Sequence, residues 1–257
     1  MSLRPSIALR NYIMETADFK HAMANCVLKL YTGAQPATPE AAPTGTLLNT
    51  YSASGGALTR EVRALGSVEL TGGGSGSVDT ITIDGHEIMG SATAFNTTLT
   101  QTALDCVNKI NASPANVFVV AEASGAFINL RAKYGLGAVA NGMVVASTVT
   151  TITKADTNLA SGVTALNGLL WGDAAINVIP KDPAQTWQGT AVAGGTAGWF
   201  RFEAAVLDAG GVDSTEAILR LDGSVSTSGA DLNMGSTTIA VSSVQTVSAF
   251  AITFPSA

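Results

Sequence analysis

Charge is scarce in this sequence. Asp, Glu, Lys and Arg make up 12% of its 257 residues, about half the ~25% of an average globular domain. Two kinds of surface fit so little charge. One is neutral and hydroxyl-rich; the other is covered by neighbours in an assembly. The basic residues are also scattered. Their densest group is Arg60 and Arg63 with Glu61 between them, in a chain of net charge −6. A groove that follows phosphates needs clustered Lys and Arg, so no nucleic-acid partner is expected.

Cysteine is equally sparse. Cys26 and Cys106 are the only two, and their separation suits neither a disulfide framework nor a metal site. Both are expected as reduced thiols packed like small hydrophobes, with a single bridge between them left open. The two histidines are His21, on a predicted helix, and His86, beside a predicted hairpin turn. Neither has a nucleophile close in sequence, and two are fewer than a metal cluster favours. No run approaches the ~18 apolar residues of a membrane span. The first residues lack the apolar core of a secretion signal. No membrane partner, metal or cofactor is expected.

What is present is alternation of period two, the mark of strands with one buried face. It is clearest in the last quarter of the chain. In residues 199–204, Phe200 and Phe202 face one way, Arg201 and Glu203 the other. In residues 217–222, Leu219 and Leu221 oppose Arg220 and Asp222. Residues 237–241 carry Ile239, and residues 247–254 put Phe250, Ile252 and Phe254 on one face. Gly, Asp, Asn and Ser fill the gaps, as turns require.

The rest of the chain supplies the partners. Residues 2–9 read as an arm interrupted by Pro5. From Leu9 to Cys26 apolar residues recur at helical spacing, with a break near residues 16–18 where Asp18 suits a cap. Residues 27–31 and 46–51 read as strands, joined by a loop over residues 33–45 with three prolines. Residues 66–77 contain Gly-Gly-Gly-Ser-Gly-Ser and read as a flexible connection. Strand 78–83 follows, with a hairpin turn at Asp84-Gly85. A helix over residues 100–112 has Ala103, Leu104, Val107 and Ile110 on one stripe, and Ser113-Pro114 ends it. Strands are expected at 117–121, 127–132 and 144–153, then at 166–171, 175–179 and 186–192. The fold class is therefore mainly β: an antiparallel β-sandwich or jelly-roll-like module with an N-terminal helix, built from residues 1–65 and 162–257. Residues 66–161 form a small α+β domain inserted into it.

No catalytic residue stands out. Asp208, Asp213, Glu216, Asp222 and Asp231 are the carboxylates that could serve glycoside hydrolysis, and Asp208, Asp213 or Asp231 a turn-bound calcium ion. All are read as turn residues bonding their own backbone. Gly72-Gly73-Gly74 has no Gly-Lys-Ser/Thr after it and no helix to open, so it is no phosphate cradle. Trp171, Trp187 and Trp199 could line a sugar platform, but their spacing suits core or interface anchors better.

Residues 27–48, VLKLYTGAQPATPEAAPTGTLL, resemble the start of a family of small tailed-bacteriophage virion proteins. Matching residues are Tyr31, Gly33, Gln35, Pro36, Gly45 to Leu48, Trp187, Gly189, Gly195 to Phe202, Leu221 to Ser224, Thr227 to Met234, Ser236 to Ile239 and Phe250 to Pro255. The resemblance covers roughly residues 9–60 and 165–257. The middle departs from the short members of the family and is similar to α+β insertions of other phage structural proteins. The resemblance implies a non-enzymatic virion component, made in the host bacterial cytoplasm. A head decoration or cement protein is the first expectation. Its partners would be the major capsid protein or other virion subunits, and copies of itself, with a trimer among the forms expected. A tail, neck or collar component and a carbohydrate-binding adhesin are the alternatives. The first ~25 residues and the 33–45 loop are expected to reach neighbouring subunits.

Overall fold

The computed structural model describes residues 3–253. The chain divides into two compact units, residues 1–60 with 165–257, and residues 61–164. It is mainly β and consistent with a β-sandwich, with an N-terminal helix.

In the first unit seven strands run side by side in the order Arg4–Pro5, Arg220–Ser226, Gly195–Glu203, Val27–Thr32, Leu47–Ala53, Trp187–Thr190 and Val244–Val247. Every pairing along this path is antiparallel. Val178–Pro180 and Ala251–Thr253 make a separate two-stranded sheet. The alternation expected of residues 199–204 is real. Phe200 and Phe202 join Trp171, Trp187 and Phe250 in an aromatic core whose ring centroids lie 5.2 to 6.2 Å apart.

The N-terminal segment is not a free arm. Arg4 and Pro5 pair with Asp222 and Leu221 as a short edge strand, a position where proline is tolerated. Ser6 then caps the helix Ile7–Glu15 by accepting from the Leu9 N–H. Asp18 caps the turn Phe19–Ala22 in the same way, through the His21 N–H. Helical structure stops there, and Cys26 forms a β-bridge with Leu169 instead. Residues 166–171 make only isolated bridges rather than the expected strand. The expected strand over 247–254 is two short ones, Val244–Val247 and Ala251–Thr253. Phe254 and Pro255 lie outside the described residues.

The second unit holds two four-stranded sheets and a helix. One sheet runs Thr153–Ala160, Leu65–Gly72, Phe127–Ala132, Val119–Ser124. The other runs Val145–Thr150, Ser77–Ile83, His86–Glu87, with Thr93–Ala94 also on Ser77–Ile83. Thr98 caps the helix Leu99–Ala112, which buries Ala103, Cys106, Val107 and Ile110. Leu104, expected on that stripe, is 41% exposed and Cys106 takes its place. Asp84 and Gly85 both have positive φ, 49° and 78°, as a tight two-residue hairpin turn requires. The stretch read as a flexible connection is a strand, Leu65–Gly72, followed by a tight turn into Ser77. The expected strand 144–153 is two strands, parted at Thr151, whose φ is 66°.

Candidate functional site

The distinctive site is on the other face of the strands that carry Phe200 and Phe202. Antiparallel pairing sets Arg201 opposite Asp222 on one neighbour and Lys29 on the other. It sets Glu203 opposite Arg220, Trp199 opposite Tyr31, and Arg4 opposite Asp222. Directly opposed residues point to the same face, so charges tile this surface, opposite in sign at Arg4–Asp222, Asp222–Arg201 and Arg220–Glu203 and like in sign at Arg201–Lys29. A polar sheet face ordinarily meets water. Here Arg201, Arg220 and Asp222 have no exposed surface and Glu203 has 1%.

The geometry makes this burial tolerable. Arg201 grips Asp222 through Nε and Nη2, each at 2.7 Å. Arg220 grips Asp208 through Nε at 2.5 Å and Nη2 at 2.7 Å. Glu203 lies between Lys29, 2.7 Å from its Nζ, and Arg60, 3.5 Å from its Nη2. A buried ion pair survives desolvation only when its remaining donors are also met. Backbone carbonyls meet many of them, although Arg60 Nε and both Glu203 carboxylate oxygens are buried without a hydrogen bond. Arg60 donates to the carbonyls of Ala204 and Val206.

The proline-rich loop supplies the rest. Arg4 Nη1 donates to the carbonyls of Pro36 and Ala37, both at 2.9 Å. Arg220 Nη1 donates to Pro39 O at 2.9 Å, and Arg201 Nη1 to Ala41 O at 3.1 Å. Trp199 Nε1 donates to Thr44 O at 3.2 Å, and its ring stacks on Tyr31 with centroids 4.5 Å apart. Glu40 accepts from the Ile7 N–H. Proline has a carbonyl but no N–H, so a proline-rich segment is rich in acceptors and poor in donors. Guanidinium groups, with five donors and no acceptor, complement it. Gly45 closes the loop at φ 77°, where a Cβ would sit 2.1 Å from Thr32 O. Gly198, at the strand irregularity between Ala197 and Trp199, lies so close to Gly33 that a Cβ would meet its carbonyl oxygen at 2.0 Å.

Burial and pairing pull the carboxyl groups in opposite directions. Burial pushes the Glu203 carboxyl above its ordinary value, and Lys29 only partly offsets it. Burial likewise holds the Asp222 carboxyl up against the pull of Arg201. At Asp208 burial is outweighed by the Arg220 guanidinium and the Gly210 N–H, which leave it below the usual range. No group of three or more His, Cys, Asp or Glu among the described residues is placed to hold a metal ion. The site can hold chain segments together, and its charges are spent on one another.

This overturns two sequence readings. Asp222 is not a turn residue but lies in the strand Arg220–Ser226 and pairs with Arg201; Asp208 does accept from the backbone N–H of Gly210, as expected, and is also one half of a buried pair with Arg220. The 33–45 loop is not free to reach outward, because Arg4, Arg201, Arg220 and Trp199 pin it to its own unit. Asp213 does behave as expected, accepting from the backbone of Thr215 and Ile218. Asp231 accepts from Ser224 N–H and hydroxyl, and Glu216 lies exposed in a turn at φ 53°. His21 is on the surface beside Asp18, and His86 meets the edge of Phe118. Cys26 and Cys106 are buried free thiols, with Cys26 pushed up to about 12 by burial. Trp187 and Trp199 are fully buried and Trp171 nearly so, so none offers a ring face to a sugar.

The arginine set was not anticipated, although a signal exists. Arg-Phe-Glu on one strand and Arg-Leu-Asp on the next carry opposite charges at matching register. Many of the residues on which the phage resemblance rests, Tyr31, Gly33, Pro36, Gly45 and Gly195 to Phe202 among them, converge on this loop and the strands beneath it.

No protein-family model, curated protein or solved structure matches this chain.

Proposed function

We propose that the chain is a structural component of a bacteriophage virion, first of all a decoration protein that binds and stabilises the assembled head. It acts by adhesion to other subunits, without turnover. The observation that carries this reading is that six charged side chains of the first unit, Arg201, Glu203, Asp208, Asp213, Arg220 and Asp222, are buried while several large apolar ones project. Met14 is 73% exposed and Ile176 95%. Leu207, Val212, Val192, Val241 and Val244 project as well. Isolated apolar residues on a surface are ordinary. Their number here, with charge turned inward, suits a body whose faces are covered by neighbours. The arginine-pinned loop supports the same reading, since stiff contact surfaces lose less entropy on docking. Many small contacts repeated over a lattice then add up through multivalency.

The test is co-sedimentation of the purified chain with heads assembled without it, followed by imaging. Saturable binding at symmetry-related sites on the head is the expected result. Density confined to the tail or neck moves the chain to that station. No binding to any part of the particle removes the reading.

A further inference from the structure

A hollow of about 360 Å³ opens between the N-terminal helix and the strands of the first unit. Leu9 and Ile13 of the helix line it, with Phe19 from the turn that follows. Leu221, Ile252 and Thr253 line it from the strands. Leu9, Phe19, Leu221 and Ile252 are buried and Ile13 is half-buried. Arg10 is the one charged residue along it, and it is exposed. A hollow with such a lining offers water almost no hydrogen bonds and takes up apolar groups instead.

The chain itself arrives at this hollow. Along its last described strand Phe250 and Ile252 are buried, and Ala251 and Thr253 are exposed. The strand is Ala251–Thr253, paired with Val178–Pro180. Phe250 belongs to the aromatic core, and Ile252 is in the lining of the hollow. Side chains on one face of a strand recur every second residue, about 7 Å apart. The next residue on the inward face is Phe254, which lies beyond the described residues.

We propose that Phe254 of the same chain enters this hollow, so that residues 254–257 latch the N-terminal helix to the C-terminal strand. The chemistry matches, since Phe-Pro-Ser-Ala carries no charged side chain. Phe19 offers the ring an aromatic neighbour, and its own edge meets Trp171 at 5.1 Å. A phenyl ring beside it extends the aromatic core toward the helix. Covalent attachment selects the same chain over a second copy. Thr253 already stands at the hollow, and a short tether holds the tail there at a roughly millimolar effective concentration. The inference stands apart from the virion reading, because it concerns an apolar surface that the chain closes for itself.

The experiment is a nuclear Overhauser measurement on the full chain, with labelled Phe rings and labelled Leu, Ile and Met methyl groups. The Phe254 ring signals, assigned by their loss in Phe254→Leu, should show cross-peaks to the methyl groups of Leu9, Ile13 and Leu221. Absence of those cross-peaks overturns the proposal. So does the Met1 methyl group contacting the same residues in place of Phe254, since Leu3 also lines the hollow. In a sample mixed from ring-labelled and methyl-labelled copies the cross-peaks should vanish. Their persistence there assigns the tail to a second copy and overturns the same-chain latch. A second readout follows the hollow. Phe254→Ala should raise the fluorescence of added 1-anilinonaphthalene-8-sulfonate several-fold and lower the thermal unfolding midpoint by a few degrees. Phe254→Leu should stay close to wild type in both. A wild type that binds the dye as strongly as Phe254→Ala has an open hollow and overturns the proposal. If Phe254→Ala fails to fold, the wild-type cross-peaks decide alone. Neither readout uses virus particles, so failure here leaves the head-binding test standing, and failure there leaves the latch standing.

Discussion

Residues 61–164 fill their interior with aliphatic side chains. Val68, Ile81, Ile83, Ile110, Ile128 and Leu130 pack together there, all without exposed surface. The other unit has an aromatic core on one side of its central strands and, on the opposite side, a buried layer of guanidinium and carboxylate groups. In an aliphatic core the loss grows with the volume removed, from about 0.5–1.5 kcal/mol for one methyl group upward. In a buried ionic layer it does not, because each charge depends on a named partner. The first unit should therefore fail sharply at single positions where the second fails gradually. The three tryptophans all lie in the first unit, so their fluorescence follows that unit alone.

The largest effect is expected from Arg220→Ala. It strands Asp208 and frees the carbonyls of Pro39 and Gly211. Breaking a buried pair from one side costs about 3–5 kcal/mol. Urea unfolding followed by tryptophan fluorescence should shift by that amount. A shift below ~1 kcal/mol would mean that the layer is wet and the contrast between the units is false.

Ile128→Ala comes next, in the second unit. Removing a fully buried isoleucine side chain typically costs about 3 kcal/mol, less if neighbours relax into the space. Circular dichroism should register the loss while the tryptophan signal keeps its wild-type midpoint. A joint shift of both signals would show that the two units unfold as one.

These two variants also mark what was legible in the sequence. Alternation located Phe200 and Phe202 correctly, because a strand with one apolar face announces it at period two. The same alternation placed Arg201 and Glu203 on the opposite face and implied water there. Period two reports which residues share a face, not what covers that face. The cover is the 33–46 segment, whose docking depends on register between Arg201 and Asp222, strands far apart in the chain. The two strands misread in the second unit fail together for a related reason. Leu65–Gly72 runs into glycines and Thr153–Ala160 carries polar residues at most positions, so neither resembles a strand alone. They pair with each other at six registered positions with two irregularities, and the four from Lys154 to Thr157 run unbroken. Tertiary pairing decided what local composition could not. The helices are read from apolar spacing and one cap, Asp18; Ser6 and Thr98 accept from an N–H three residues on in the same way but are not singled out in the sequence.

A smaller effect, of order 1 kcal/mol, is expected at Asp213 and only through pH. Burial alone would raise its carboxyl, but backbone N–H groups of Ile218, Ala217 and Thr215 hold it below the ordinary aspartate value of 3.8. A depressed carboxyl stabilises the fold above 3.8, and that contribution is lost as pH falls through the folded value. Glu203 has the opposite sign: its raised value favours the fold when protonated, and that benefit fades as pH rises through it. Asp213→Asn should thus flatten the acid limb of the stability profile. An unchanged limb would assign acid unfolding to other carboxylates.

The smallest net change is expected where the most chemistry is altered. Asp222→Leu alone leaves the Arg201 guanidinium buried without its carboxylate, and should cost about 3–5 kcal/mol. Arg201→Met alone leaves the carboxylate instead and should cost a similar amount. Together the two substitutions remove both charges and fill the space with apolar atoms of comparable volume, which in other buried pairs is close to neutral. The double variant should unfold within about 1 kcal/mol of wild type, a large coupling between two single losses. It would also turn this part of the first unit into a copy of the second unit's chemistry. Arg201 also donates to Ala41 O in the wild type and that bond goes with it, so any residual loss in the double variant measures how tightly the loop is pinned. Loop release can be read independently as faster proteolysis within residues 34–44. If the double variant is as unstable as either single one, the layer's stability comes from the arginine's hold on the loop rather than from the pairing of charges.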